Sequence, residues 1–354
     1  MKAEAKQSPT EGKLHFNDDN GAVDDTIKKL LRLAGDVQHA DIVRQMIIAS
    51  LKAGLEDGGK ADLKQMNDAL KELRFTTKVF KPYRQIRKVS VFGSARENLD
   101  SPIYQMAKLF GKRMVEAGYM VITGGGPGIM QAINEGAGTE KSFGVNIRLP
   151  MEQEPNAVVK DNPRCITYKY FFTRKVAFIK EADAVALFPG GFGTLDEAME
   201  TLTLIQTGKC DPMPVVMMDL PDGSYWRTLI RFMQSEVINN SRADKTGFSL
   251  FQVINSVDDA VAHINRFYRN FHSIRYVGPR LVIRLNRAID NCCMEELASE
   301  FKDILTHPEG IRMSGPLPDE FDSPEIAHLP RIVVDFNKRD YGRLRSLIDT
   351  INAL

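Results

Sequence analysis

The chain has 354 residues, of which 43% are hydrophobic and 26% charged, and its formal net charge is +1. This composition is typical of a soluble globular protein with one main core and a smaller satellite domain. The charge provides no overall field that would attract nucleic acid or an anionic membrane. No apolar run is long enough for a membrane helix, and the polar N-terminal stretch is unlike a signal peptide. The four cysteines form no CxxC pair and no ligand-like grouping with histidine, so we expect a reduced, cytoplasmic protein.

Residues 22–87 are predicted to form a helical extension behind a flexible arm at residues 1–21. Apolar residues recur at helical spacing in Val23–Leu33, Ala40–Leu55 and Ala61–Leu73. We expect these helices to cap the main domain or a partner subunit, in keeping with a homodimer or higher homo-oligomer. A regulatory lid is the alternative, and only the position of the segment supports it.

From Lys88 onwards, predicted strands and helices alternate along the chain. The strands are apolar throughout rather than alternating, which favours a parallel sheet covered by helices on both faces. We therefore predict an α/β, Rossmann-like doubly wound domain at residues 88–274, with its ligand site at the carboxyl ends of the strands. The predicted strands are Lys88–Phe92, Tyr119–Thr123, Phe143–Leu149, Cys165–Tyr168, Asp183–Phe188 and Pro214–Met218.

Residues 275–354 are predicted to form a small C-terminal α/β appendage in βαβα order. Arg280–Leu285 and Arg331–Phe336 have the composition of strands, whereas Met294–Leu305 and Tyr341–Leu354 have helical spacing. The charged residues of this segment form no recognisable catalytic group, so we expect a role in packing or oligomerisation.

Three glycine-rich loops follow predicted strands. They are GSAR from Gly93, GGGPGIM from Gly124 to Met130, and PGGFGTLDE from Pro189 to Glu197. A glycine turn that leads into a helix brings backbone N–H groups and the positive end of the helix dipole together, which is typical of a phosphate site. None is a Walker A loop, and GGGPG lacks the spacing of a dinucleotide fingerprint. A tight turn without a ligand is the alternative for each loop taken singly.

The histidine distribution limits the chemistry of this region. Residues 40–262 contain no histidine, which excludes an HExxH zinc site and a nucleophile activated by a histidine within it. Glu197, one turn inside the helix predicted at Leu195–Gln206, is the candidate acid/base group. Two roles for it stay open, because Thr194-Leu195-Asp196-Glu197 also fits a capping box in which Glu197 bonds to its own helix N-terminus.

The stretch YKYFFTRK, residues 168–175, supplies a candidate cationic partner for Glu197. We expect Arg174 to bind phosphate or a leaving group and to be positioned by two buried aromatic residues, Phe171 and Phe172. The alternative is that Arg174 and Lys175 form a solvated basic pair at the start of a helix.

GGGPGIM, TRK and PGGFGTLDE together resemble the motifs of the LONELY GUY (LOG) family of nucleoside 5′-monophosphate phosphoribohydrolases, historically labelled lysine decarboxylases. The resemblance covers about residues 88–265. It implies hydrolysis of the N-glycosidic bond of a substrate of the AMP or cytokinin riboside 5′-monophosphate type, with Arg174 and Glu197 as the catalytic pair and no metal or cofactor. The candidate substrate-binding residues are Gly93, Ser94, Gly125, Gly126, Gly128, Met130, Lys175, Pro189, Gly190, Gly191, Gly193 and Thr194.

Several departures from the compact family core indicate a longer branch. Phe171-Phe172 stand where short members usually have Met-His, and both chain ends carry additional segments. These features favour a general nucleotide hydrolase. The alternative from another class is a non-catalytic protein that binds a nucleotide or a phosphorylated cofactor of the molybdenum-cofactor type. A lysine decarboxylase would need a Schiff-base lysine for pyridoxal phosphate, and the sequence identifies none.

Overall fold

The structure is a computed structural model that describes residues 14–56, 58–150, 154–240, 245–307, 309–320 and 324–354. The chain divides into two compact units, residues 1–72 and 73–354. The first 13 residues of the predicted arm at 1–21 lie outside the described residues.

The first unit is helical. It contains α1 (Ala22–Ala34), α2 (Ala40–Leu55) and the beginning of α3 (Lys60–Phe80). The buried carboxylate of Asp24 on α1 accepts a hydrogen bond of 2.7 Å from the Arg44 guanidinium on α2, which ties these two helices together. The predicted helices are confirmed, and α3 continues to Phe80, beyond the predicted end at Leu73.

The second unit contains a seven-stranded parallel sheet, with the strand order β4-β3-β2-β1-β5-β6-β7. The predicted strands agree with the structure to within two residues at each end. The last strand is not predicted, because it has only three residues and its first side chain is exposed. The strands are β1 (Lys88–Phe92), β2 (Met120–Thr123), β3 (Ser142–Ile147), β4 (Cys165–Tyr168), β5 (Ala184–Leu187), β6 (Val215–Met218) and β7 (Gln252–Ile254).

Helices cover both faces of this sheet, as the apolar strands predict. The residues of β5 show the division: Ala184 and Ala186 belong to one core cluster, whereas Val185 and Leu187 belong to the other. The predicted α/β, Rossmann-like doubly wound fold is therefore confirmed. One layer consists of α4 (Pro102–Glu116), α5 (Ile129–Ala137) and α9 (Val257–Phe267), and the other of α6 (Phe171–Lys180), α7 (Phe192–Gln206) and α8 (Tyr225–Phe232).

The C-terminal appendage is a four-stranded antiparallel sheet with two helices, so the predicted βαβα order is wrong. The prediction misses the strand Phe271–Val277 because a bulge between Phe271 and Ser273 removes the regular alternation of buried side chains. It misses the strand Ile311–Ser314 because that strand has only four residues, two of them polar. The elements are β8 (Phe271–Val277), β9 (Arg280–Leu285), α10 (Asn291–Glu300), β10 (Ile311–Ser314), β11 (Arg331–Val334) and α11 (Tyr341–Ala353), with strand order β10-β11-β9-β8.

A buried charge cluster anchors the Pro- and Gly-rich stretch that precedes β11. Glu320 accepts hydrogen bonds from Arg284 at 2.6 Å and from Arg331 at 3.0 Å, and all three side chains are buried. The two guanidinium groups share this one carboxylate, so each buried charge lies beside an opposite charge. This cluster is consistent with the packing role that we expect for the appendage.

Candidate functional site

The three glycine-rich loops meet at one pocket of 860 Å³ at the carboxyl edge of the parallel sheet. Nine of the predicted site residues line this pocket: Gly93, Ser94, Met130, Arg174, Gly190, Gly191, Gly193, Thr194 and Glu197. The position follows from the topology. The chain order reverses between β1 and β5, and a crevice opens at such a switch point, where α/β proteins bind their ligands.

The third loop presents the N-terminal end of α7 to the pocket. This helix begins at Phe192 with Gly191 as its N-cap, and both residues line the pocket. The first N–H groups of a helix have no intrahelical partner and carry the positive end of its dipole, so this end of α7 favours an anion. The amide of Ser94 donates to the carbonyl of Pro189 at 3.1 Å, which fastens the first loop to the third.

Glycine is required at two positions where these loops approach each other. A Cβ at Gly190 would lie 2.2 Å from Oγ1 of Thr194 in the same loop and 3.0 Å from the carbonyl carbon of Gly93 in the first loop. A Cβ at Gly128 would lie 2.3 Å from the carbonyl oxygen of Ser94. Gly128 also has a φ of +67°, which L side chains rarely adopt. These contacts allow the loops to pack backbone against backbone.

Most glycines of the second loop do not line the pocket, because a buried polar network holds this loop. Asn156 donates through its backbone N–H to Gly125 O at 2.7 Å and through its side chain to Gly126 O at 3.0 Å. The N–H of Gly125 donates to Oγ1 of Thr123 and is therefore already satisfied. Gly125, Gly126 and Gly128, three of the predicted phosphate ligands, thus shape this loop, whereas Gly124 and Met130 line the pocket.

Glu197 is buried in the pocket wall. Its side chain is 7% exposed, its Oε1 lies 3.7 Å from Nζ of Lys175, and its buried Oε2 has no hydrogen-bond partner among the described residues. Burial raises the pKa of Glu197 to about 7, although the positive charges of Lys175 and Arg174 act to lower it. A carboxyl group with this pKa can exchange a proton near neutral pH.

The capping-box hypothesis for Glu197 is wrong. The helix begins three residues earlier than that hypothesis requires, so Thr194 lies inside its first turn and Gly191, which has no side chain, is the N-cap. Glu197 therefore lies too far along the helix to return a bond to the N-cap amide. This places its carboxylate in the pocket wall instead of at its own helix terminus.

Arg174 is held in the pocket by the sheet and by two aromatic rings. Its Nε donates to the carbonyl of Val145 on β3 at 2.9 Å, and its guanidinium lies 5.0 Å from the ring centre of Phe178. A Cβ at Gly124 would lie 2.7 Å from Nη2, so the guanidinium occupies the space that this glycine leaves. Burial lowers the pKa of Arg174, and the charge of Glu197 opposes that effect.

The predicted burial of Phe171 and Phe172 is wrong. These residues form the first turn of α6, and their exposed fractions are 54% and 47%. The guanidinium of Arg174 still lies 5.9 Å from the ring centre of the exposed Phe171, and the buried Phe178, one turn beyond Arg174, is the nearer of these two rings.

Lys175 lies beside Glu197 in a cluster of carboxylates. Its Nζ is 2.8 Å from Asp196 and 2.5 Å from Glu200, and its side chain is 17% exposed. Neither Lys175 nor Pro189, both predicted as substrate ligands, lines the pocket.

Three polar residues of the pocket are not among the predicted site residues: Arg96, Asp196 and Tyr225. Arg96 follows the first loop, and its place in the GSAR segment is a signal that could have identified it. Tyr225 comes from α8, and its hydroxyl donates to the carbonyl of Gly190 at 2.6 Å. No motif marks Tyr225, since only the packing of α8 brings it to the third loop. The apolar part of the wall includes Ile147, Leu149, Phe171 and Phe192.

Neither a metal site nor a membrane span is found in the part of the chain that the structure describes. Within those residues, no three His, Cys, Asp or Glu side chains are grouped so that they could hold a metal ion. None of the helices described there combines the length and the apolar character needed to cross a membrane.

The fold and the pocket define a Rossmann-like α/β protein with a pocket at its switch point, lined by three glycine-rich loops. Comparison with known proteins agrees with the motifs. Residues 130–264 match the family model described as "Possible lysine decarboxylase". Together with the curated relatives described next, this match confirms the resemblance to the LOG family.

The relatives are similar at low identity over part of their length. The cytokinin riboside 5′-monophosphate phosphoribohydrolase LOG3 of Arabidopsis thaliana is 28% identical over 158 residues, which are 43% of this chain and 70% of the relative. The enzyme LOG of Oryza sativa subsp. japonica is 28% identical over 144 residues, which are 40% of this chain and 58% of the relative.

Solved structures show a weaker likeness. A molybdenum cofactor carrier protein from Chlamydomonas reinhardtii is 18% identical and covers 51% of this chain and 97% of its own, with a TM-score of 0.35. A likeness at this level carries no argument about function.

Proposed function

We propose that the protein hydrolyses the N-glycosidic bond of nucleoside 5′-monophosphates. The observation that carries the proposal is the carboxylate of Glu197, which is buried in the pocket wall with one oxygen unpartnered among the described residues. A buried polar atom without a partner is costly in a folded protein and is often explained by a catalytic role. The curated relatives, named as phosphoribohydrolases, support the same reaction class.

One part of the pocket favours an anion, and another part favours an apolar organic group. The N-terminal end of α7 and the guanidinium of Arg96 favour a phosphate. The apolar wall, formed in part by Ile147, Leu149 and Phe171, favours a flat, weakly polar group such as a nucleobase. We propose a purine nucleoside monophosphate of the AMP type as the substrate, with cytokinin riboside 5′-monophosphates in the same class.

In the proposed reaction, water adds to the anomeric carbon of the ribose as the bond between that carbon and the base nitrogen breaks. The base leaves with the electron pair of that bond and takes up a proton, and ribose 5-phosphate remains. Positive charge develops on the ribose in such cleavages. The ionised Glu197 stabilises that charge and orients the attacking water, and Arg174 provides a fixed positive charge that assists the departing base.

The test is release of free base from AMP and other nucleoside monophosphates, followed by chromatography, with wild type and Glu197→Gln. The substitution removes the negative charge and keeps the shape, and it should lower turnover about 10²- to 10⁴-fold. Glu116→Gln is the matched control. It changes a half-exposed glutamate at the C-terminal end of α4, at the opposite edge of the sheet, and should leave the rate unchanged.

Two results would overturn the proposal. If Glu197→Gln keeps the wild-type rate, Glu197 is not the catalytic carboxylate. If the wild type releases no base from any nucleoside monophosphate but retains a phosphorylated ligand in native mass spectrometry, the protein is a carrier.

A further inference from the structure

The ammonium group of Lys175 is surrounded by the carboxylates of α7. Asp196 and Glu200 lie within hydrogen-bond distance of Nζ, and Oε1 of Glu197 lies 3.7 Å from it. The three carboxylates occupy one turn of a single helix, so without a cation between them they would repel one another. The hydrogen bonds to Asp196 and Glu200 raise the pKa of Lys175 despite its burial, so this cation stays charged.

The orientation of Lys175 argues against contact with a phosphate. An ammonium group has three donors, and in this structure they point to the carboxylates on the side of α7. Its neighbour Arg174 lines the pocket, whereas Lys175 does not. The side chains of consecutive helix residues point in directions about 100° apart, which explains why the adjacent Arg174 and Lys175 contact different groups.

We propose that Lys175 is a positioning residue for Glu197 and not a ligand of the substrate: its ammonium group, bound by Asp196 and Glu200, holds the carboxylate of Glu197 in place and favours its ionised form. This inference rests on the proposed function, because it assigns a task in the same reaction. The groups that act electrostatically on Glu197 are the cations Lys175 and Arg174 and the anions Glu200 and Asp196.

The proposal makes two predictions of opposite sign. Removing Lys175 leaves three carboxylates with Arg174 as the remaining cation, so the proton on Glu197 is held more tightly and ionisation requires a higher pH. Removing the charge of Glu200 eliminates one repulsion and releases Lys175 toward Glu197, so ionisation occurs at a lower pH. An opposite charge at this distance typically changes a pKa by roughly 1–3.

The experiment compares pH profiles of kcat and KM for wild type, Lys175→Met, Lys175→Arg and Glu200→Gln. In Lys175→Met, the acid limb of the kcat profile should move to higher pH by about one pH unit, with KM changed less than about threefold above that limb. Lys175→Arg should restore much of the original position, and Glu200→Gln should move the limb to lower pH. Lys180→Met, at the exposed end of the same helix, is the matched control and should leave the profile unchanged.

A different pattern would overturn the inference. A KM that rises tenfold or more in Lys175→Met, with the acid limb unmoved, would make Lys175 a phosphate ligand. A shift of the limb in the same direction in Lys175→Met and Glu200→Gln would indicate a general structural effect. If Lys175→Met does not fold, the acid limb of Glu200→Gln tests the inference: a move to lower pH supports it, and a move to higher pH contradicts it.

A readout independent of turnover separates this inference from the proposed function. The pH dependence of the free energy of unfolding also reports the ionisation of Glu197. If the wild type releases no base, the proposed function fails, and the two variants should still displace this curve in opposite directions. An undisplaced curve refutes the role of Lys175 even if the enzyme is active.

Discussion

Replacing Glu197 by glutamine should remove a pH dependence from the stability of this protein. In the native state, burial holds the pKa of Glu197 at about 7, whereas a glutamate in an unfolded chain has its usual value of about 4.5. The native state therefore binds a proton that the unfolded state has already lost. The stabilisation from this group is complete below pH 4.5 and disappears as the pH rises through about 7.

The size of the effect follows from the difference between the two pKa values. A difference of about 2.5, at about 1.4 kcal/mol for each tenfold change in proton affinity, gives roughly 3 kcal/mol. This amount should be lost from the wild type between about pH 5 and pH 8. A glutamine at this position does not titrate, so Glu197→Gln should lose none of it.

The assay is chemical unfolding of both proteins at several pH values from 5 to 8.5. Other groups also titrate differently in the native state: burial raises the pKa of Asp183, Asp211 and Asp349 and lowers that of His263 to about 4. They are present in both proteins and cancel in the difference. Leaving Arg174 without its counter-charge lowers the stability of Glu197→Gln by an amount that does not depend on pH. This offset does not affect the test, because the test compares how the difference in unfolding free energy changes with pH.

The result that refutes this reasoning is a pair of parallel curves. Parallel curves would mean that Glu197 has an ordinary pKa in the folded protein, so the low dielectric surroundings inferred from its burial would be incorrect. A wild type that loses stability relative to Glu197→Gln as the pH falls would be equally contrary, since it would indicate a carboxylate stabilised by its cations.

Two further substitutions test how the third loop is held. Tyr225→Phe removes the donor to the Gly190 carbonyl and keeps the ring. Because such a hydrogen bond contributes about 1 kcal/mol, KM for the nucleotide should rise about fivefold. An unchanged KM would show that the phenol does not position the loop. In Gly190→Ala, the new Cβ would collide with Thr194, so thermal unfolding should occur at a lower temperature and nucleotide binding should be lost. Gly191→Ala is the control, since a Cβ there meets no atom within 4 Å and the unfolding temperature should stay at the wild-type value.

Much of the fold follows from local patterns. The apolar strands from Lys88 to Met218 predict a parallel sheet, because side chains buried on both faces leave no polar alternation. Glycine-rich loops at the strand ends predict a site at the carboxyl edge of this sheet. The bulged strand Phe271–Val277 is not predicted, because its buried side chains are neither continuous nor regularly alternating.

The sequence by itself determined the residue types that can take part in chemistry: the histidine-free stretch leaves Glu197 and Arg174 as candidates, and the glycines provide room for an anion. Tertiary structure alone decided which of them meet. It turned Gly125 and Gly126 toward Asn156, placed Lys175 among carboxylates, and brought Tyr225 to Gly190. The reason is physical, because backbone geometry depends on neighbours along the chain, whereas burial, electrostatic partners and pKa values depend on elements that are distant in sequence. The pKa of Glu197 is therefore a property of the packed α6 and α7 and not of the motif that contains it.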